Sequence, residues 1–150
     1  MMKFSLVIAV FACTFCLAVS DKVKFKDCGS TAGKIVSVDI NPCPKMPCEF
    51  KRGTKVGASI TFQSSEASTA VKSVVHGILG GIPVPFPLPD SNACNTMSPK
   101  CPLETGSQYV YTNQLEVLQS YPSLAVLVKW ELIDPNSKDL VCFEIPVRIV

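Results

Sequence analysis

Long runs of this chain alternate apolar and polar residues one for one, and that period leaves few folds open. In KVGASITFQ (55–63) Val56, Ala58, Ile60 and Phe62 fall on one side, with Gly57, Ser59, Thr61 and Gln63 on the other. KIVSVDI (34–40) sets Val36, Val38 and Ile40 against Ser37 and Asp39, and QYVYTNQLEV (108–117) sets Tyr109, Tyr111, Leu115 and Val117 against Thr112, Gln114 and Glu116. LAVLVKWELI (124–133) carries Leu124, Val126, Val128, Trp130 and Leu132 on one face, and LVCFEIPVRIV (140–150) carries Val141, Phe143, Ile145, Val147 and Ile149. Two shorter candidates are VKFK (23–26) and AVKSVVHGIL (70–79). Successive side chains of a strand point to opposite faces, so each run is a strand with one buried face. DPNSKD and SYPS supply turn chemistry between the later runs. The pattern predicts an all-β protein, a sandwich of about seven strands in two sheets with immunoglobulin-like topology. The Cys…Trp…Cys spacing of true immunoglobulin domains is missing.

The start of the chain reads differently. Lys3, the apolar run FSLVIAVFACTFCLAV and the small residues AVS before Asp21 have the layout of a secretory signal peptide over 1–20. No other apolar run approaches the roughly 18 residues of a membrane span. The expectation is one domain over 21–150, delivered to an oxidising compartment. Six cysteines follow the leader, Cys28, Cys43, Cys48, Cys94, Cys101 and Cys142. An even number in a secreted chain reads as three disulfides, although six cysteines admit many pairings. Proximity favours Cys43–Cys48 and Cys94–Cys101, which leaves Cys28 and Cys142 to tie the first part of the domain to its last strand. Zinc fits poorly, because the spacings are not CxxC pairs and the single histidine, His76, belongs to no cluster.

Charge narrows the partners. Without Lys3 the 14 basic residues become 13 against 12 acidic ones, with no basic stripe interleaved with aromatics, so nucleic acid is not an expected partner. An enzyme is not expected either. His76 sits in a strand pattern, no G-x-S-x-G elbow occurs, and no carboxylate pair falls near the aromatic cluster, so no catalytic residue, metal or cofactor is assigned. A disulfide-rich protease inhibitor lacks an evident reactive loop here.

One segment breaks the pattern. In GGIPVPFPLPD (80–90) prolines occupy positions 83, 85, 87 and 89, with Ile82, Val84, Phe86 and Leu88 between them. Alternate residues of a strand turn their N–H groups to the same edge, so these prolines strip one edge of donors and leave the other able to pair. The segment is therefore an edge strand, held extended before anything binds. Its apolar side chains either close the core or, beside Tyr109, Tyr111, Tyr121 and Trp130, hold the two sheets apart at one margin to admit a ligand.

The ordered blocks FKDCGS, NPCPKMPC, VVHGILGGIPVPFPLP, YPSLAVLVKWEL and CFEIPVRIV closely resemble the ML lipid-recognition family, in its Niemann-Pick type C sterol-transfer branch. The resemblance spans essentially all of 21–150, and the family's three bridges match the pairing that proximity favours. It implies an immunoglobulin-like sandwich with one sterol, cholesterol or a relative, between its sheets. The family's main sterol contacts fall on Phe86, Val117 and Tyr121, and further pocket positions on Ile40, Val84, Trp130 and Val147. Ile78, Leu79, Gly80, Gly81 and Ile82 correspond to a loop that meets a membrane or partner. The implied partners are the large Niemann-Pick type C membrane protein and endolysosomal membranes, the implied place is the late endosome or lysosome lumen, and a monomer is the default. This chain departs from the family at Gly80, where methionine is usual, at Glu116, usually apolar or proline, and at Phe143, where tryptophan is usual. It has no Asn-x-Ser/Thr sequence for the family's glycan, which favours plain secretion. Other ML proteins bind other lipids in immunity or defence. A multi-chain lipid A would want basic residues at its mouth, and only Lys72 and Lys100 are basic between Lys55 and Lys129.

Overall fold

A computed structural model describes residues 22–150; the expected signal peptide lies outside the described residues. The strands are β1 (Lys26–Asp27), β2 (Gly33–Asn41), β3 (Cys48–Phe50), β4 (Thr54–Ser64), β5 (Lys72–Leu79), β6 (Ile82–Phe86), β7 (Met97–Ser98), β8 (Gln108–Val117), β9 (Leu124–Ile133) and β10 (Asp139–Ile149). One sheet runs β1-β10-β9-β5-β6 with β3 also paired to β10, and the other runs β2-β4-β8-β7. The expected all-β sandwich is therefore present. A single 3₁₀ turn at Ala93–Thr96 is the helical structure among the described residues, none of which forms a helix long and apolar enough to cross a membrane.

The long runs behave as their alternation requires. Val56, Ala58, Ile60 and Phe62 of β4 are all buried, as are Tyr109, Tyr111, Leu115 and Val117 of β8. Each sheet turns this apolar face toward the other, and the removal of that surface from water is the main stabilising term. Val36 is the exception. It is 53 % exposed, while Ile35 is buried in its place. The pairing slips between Ile35 and Ser37, which face Phe62 and Thr61 on β4. A β-bulge of this kind inserts one residue and reverses the facing of everything before it.

The first short run is also corrected. Strand structure there covers Lys26–Asp27 rather than 23–26, because this segment changes sheets. Lys22 bridges Asp39 of β2 and the Val23 N–H donates to Val38, whereas Lys26 and Asp27 pair with Glu144 and Phe143 of β10. The chain then turns on Asp27, whose carboxylate accepts the N–H groups of Gly29 and Ser30 at 2.8 and 2.9 Å. β3 and β7 were not expected at all. Two or three residues carry no readable alternation, and β3 is held by a parallel pairing with β10.

The disulfides are Cys28–Cys142, Cys43–Cys48 and Cys94–Cys101. β6 is an edge strand paired only with β5, with Pro83 opposite Ile78 and Pro85 opposite His76. The β5–β6 hairpin turns on Gly80 and Gly81 alone, at φ of 55° and 83°. A two-residue turn with φ positive at both positions is the type I′ hairpin, which glycine enters without steric cost.

Candidate functional site

The two halves of the sandwich are built differently. In one, the sheets are clasped by buried polar groups. Ser73 Oγ accepts the Trp130 indole N–H at 2.8 Å and the Tyr111 hydroxyl at 2.9 Å, and Asn113 Nδ2 donates to that same tyrosine oxygen at 2.7 Å. Tyr111 belongs to the smaller sheet and Ser73 and Trp130 to the larger, so these bonds join the layers. Trp130 also packs edge-on to Tyr111 and stacks on Phe143. Burial raises the Tyr111 phenol above its ordinary value, which keeps it protonated as a donor.

The other half is packed by apolar side chains around a cavity. Between the Leu79 end of β5, the proline strand β6 and the connection from β8 to β9 lies this cavity, of about 160 Å³. Val126 and Val128 of β9 form its floor with Gly77 of β5; Val84, Phe86 and Tyr121 form its outer wall. The described residues that line it include no charged side chain. Register explains the convergence. Phe86 pairs with Val75 and Val84 with Gly77, so both share the inward face of β5. Gly77 in turn pairs with Val128.

Phe86 and Tyr121 meet across the mouth with ring centroids 5.4 Å apart. Tyr121 sits in a turn closed by its N–H to the Leu118 carbonyl, and Arg52 Nη1 donates to the Tyr121 carbonyl at 3.4 Å. Burial, then the nearby Glu116 charge, raise the Tyr121 phenol, so it stays neutral at any physiological pH. Around the opening Ile82 is 67 % and Val84 44 % exposed. Two wider grooves, of about 580 and 320 Å³, lie at the opposite end beside Asp134 and Pro135. There the Asp134 carboxylate already accepts the N–H groups of Asn136 and Lys138.

Of the residues expected at a sterol site, the cavity brings together Phe86, Tyr121 and Val84. Val117, Ile40, Trp130 and Val147 lie in the buried layer between the sheets, off the cavity wall. Of the expected docking loop, Leu79 reaches the cavity, Gly80 and Gly81 form the hairpin turn, Ile82 is exposed, and Ile78 points with His76 to the outer face of β5. Gly77, Pro122 and Phe50 are among several lining residues that sequence reasoning missed. A glycine inside the VVHGIL strand pattern was the available signal for the first; Phe50, on the three-residue β3, offered none.

On the outer face, the sulfur of Cys142 lies close to Glu131 and Asp139 but is committed to its disulfide, so the group presents two carboxylates rather than a metal-binding set. Burial first, and then Glu131, push the Asp139 carboxyl up to about 7 from 3.8, with Lys129 opposing and Asp27 adding to the rise. Between those two values the folded chain keeps a proton that the unfolded chain releases. Stability from this group therefore rises as pH falls from above 7 toward about 4. Thermal unfolding is expected at a higher temperature at about pH 5 than at pH 8, with Asp139→Asn reducing the difference. An undiminished difference in that variant would assign the dependence to other groups.

The ML domain profile matches residues 22–149. The chain is a member of the ML domain family. It is 43 % identical over 148 residues to NPC intracellular cholesterol transporter 2 of Bos taurus, covering 99 % of both chains. It is 48 % identical over 143 residues to NPC intracellular cholesterol transporter 2 homolog a of Drosophila melanogaster, covering 94 % of this chain and 97 % of that one. A Niemann-Pick type C2 protein from Japanese carpenter ant superposes with a TM-score of 0.78 at 28 % identity, over 85 % of this chain and all of that one. Chicken MD-1, solved with lipid IVa, shares the fold alone, with a TM-score of 0.53 at 11 % identity. The ML domain is a lipid-binding module rather than a catalytic one, which agrees with a cavity walled by aliphatic and aromatic side chains.

Proposed function

We propose that this ML-domain chain is a sterol carrier, holding one cholesterol-like molecule between its sheets with the hydroxyl at the mouth. The observation that carries the reading is the uncharged cavity behind Phe86 and Tyr121, at the sandwich margin closed by a proline-stiffened edge strand. The similarity to cholesterol transporters supports a sterol as the ligand. A sterol exposed to water costs about 0.8 kcal/mol for each CH₂ group left unburied, so free diffusion between membranes is slow. A dry apolar cavity replaces the bilayer at similar free energy, and loading and unloading both proceed.

A cavity of about 160 Å³ is smaller than the roughly 300 Å³ at which ligand sites begin, so binding widens it. The widening falls to the unclasped half, where β6 has a partner on one side only and the Phe86–Tyr121 pair separates by side-chain rotation. Prolines 83 and 85 keep the wall extended meanwhile, which lowers the ordering cost of binding. The exposed Ile82 and Val84 beside the opening suit contact with a bilayer or with a sterol-accepting membrane protein. The Asp139 carboxyl favours the folded state as pH falls, as an endolysosomal lumen requires; secretion through the expected leader suits the disulfides.

The test is a titration of the domain with a fluorescent sterol, beside a Phe86→Ala variant. Saturable one-to-one binding, weakened about tenfold or more by the substitution, is expected. No saturable binding by folded, disulfide-intact protein would sink the sterol reading and turn attention to other lipids.

A further inference from the structure

We propose that Gly77 determines ligand width in this cavity: its missing side chain is the slot that admits a rigid fused-ring body. The inference rests on the sterol reading and deepens it. Gly77 is buried in the middle of β5, where glycine weakens a strand and has no side chain to pack. Backbone geometry does not require it there. Unlike Gly80 and Gly81, it does not have positive φ, so any residue can adopt its conformation. The neighbouring inward positions, Val75 and Leu79, both carry apolar side chains.

Space is what the glycine supplies. A Cβ added at Gly77 would meet only Val126 Cγ2, at 3.1 Å, with nothing else within 4 Å. In its row Val84 lies to one side and Val128 to the other, and all of these residues line the cavity. Between them β5 offers no side chain for one residue, and only Val126 Cγ2 leans toward the gap. A fused-ring ligand is flat and cannot bend around an obstacle, so it needs such a gap. A single acyl chain is narrower and flexible, and passes a methyl group by rotating its bonds. Valine at position 77 would project two branch methyls into the slot while favouring the strand through its β-branch.

The experiment compares two fluorescent probes, dehydroergosterol and cis-parinaric acid, on the wild-type domain and on Gly77→Val, with thermal unfolding recorded for each. The expected result is a folded variant with sterol affinity lowered about tenfold or more and fatty-acid affinity kept or gained. Sterol affinity within about twofold of wild type overturns the proposal, and so does an equal loss of both probes, which would mean collapse of the cavity rather than selection by width. If Gly77→Val does not fold, Gly77→Ala decides by the same criteria, since its single Cβ enters the slot against Val126 Cγ2 alone. Absence of sterol binding in the unsubstituted domain would overturn the sterol reading itself, and is distinguished by appearing before any substitution.

Discussion

Replacing Cys28 and Cys142 together by alanine is expected to lower the midpoint of thermal unfolding by roughly 20 °C, far more than removing either of the other disulfides. The bridge closes a loop with a sequence separation of 114, against 5 for Cys43–Cys48 and 7 for Cys94–Cys101. On the chain-entropy argument the long loop contributes about 5 kcal/mol and each short one about 2 kcal/mol. For a domain of this length one kcal/mol moves the midpoint by roughly 4 °C. The long bridge also anchors a local network, in which the Cys28 N–H donates to the Cys142 carbonyl and the Cys142 N–H to Ser30 Oγ, both at 2.9 Å. Paired alanine variants of the three bridges, unfolded by heat under identical conditions, provide the check. Equal shifts for the long and short loops would sink the loop-entropy account.

Trp130→Ala is expected to cost about 3–5 kcal/mol, through the cavity left by the largest fully buried side chain. The loss is compounded at Ser73, whose oxygen gives up the indole N–H and keeps Tyr111 alone. Trp130→Phe separates the two contributions. It retains most of the ring packing on Tyr111 and Phe143 and removes the N–H, for a cost of about 1–2 kcal/mol. Denaturant melts of the three proteins measure both. A tryptophan replaceable by alanine for under about 1 kcal/mol would mean that the clasp does not hold the sheets. Because the clasp confines opening to the far half of the sandwich, Trp130→Ala is also expected to weaken sterol binding without touching the cavity wall.

The long strands were legible because one side of each is buried. β8 and β9 span 108–117 and 124–133, the limits that alternation alone suggests. The edge position of the proline strand was legible too, since proline cannot donate to a ladder. Val36 was not. Its run alternates cleanly, and only the slip of pairing against β4 turns it outward. β3 was beyond reach for a related reason: a three-residue strand exists because β10 lies beside it. Of the sterol positions that the resemblance implies, Phe86, Tyr121 and Val84 line the cavity, whereas Val117, Ile40, Trp130 and Val147 lie off its wall. Gly77 and Phe50 reach the same cavity through cross-strand register and a parallel pairing.

By itself, then, the sequence determined the fold class, the disulfide-compatible cysteine pattern, the edge strand and the family, because each is written in neighbouring residues: a period of two, short cysteine loops, prolines at alternate positions. Tertiary structure decided where the sandwich is clasped and where its cavity lies. That division depends on Ser73, Tyr111 and Trp130 meeting from three different strands, and on Gly77 facing Val84 and Val128 across two pairings. Distances between residues far apart in the chain are set by packing two sheets together, and no local pattern encodes them.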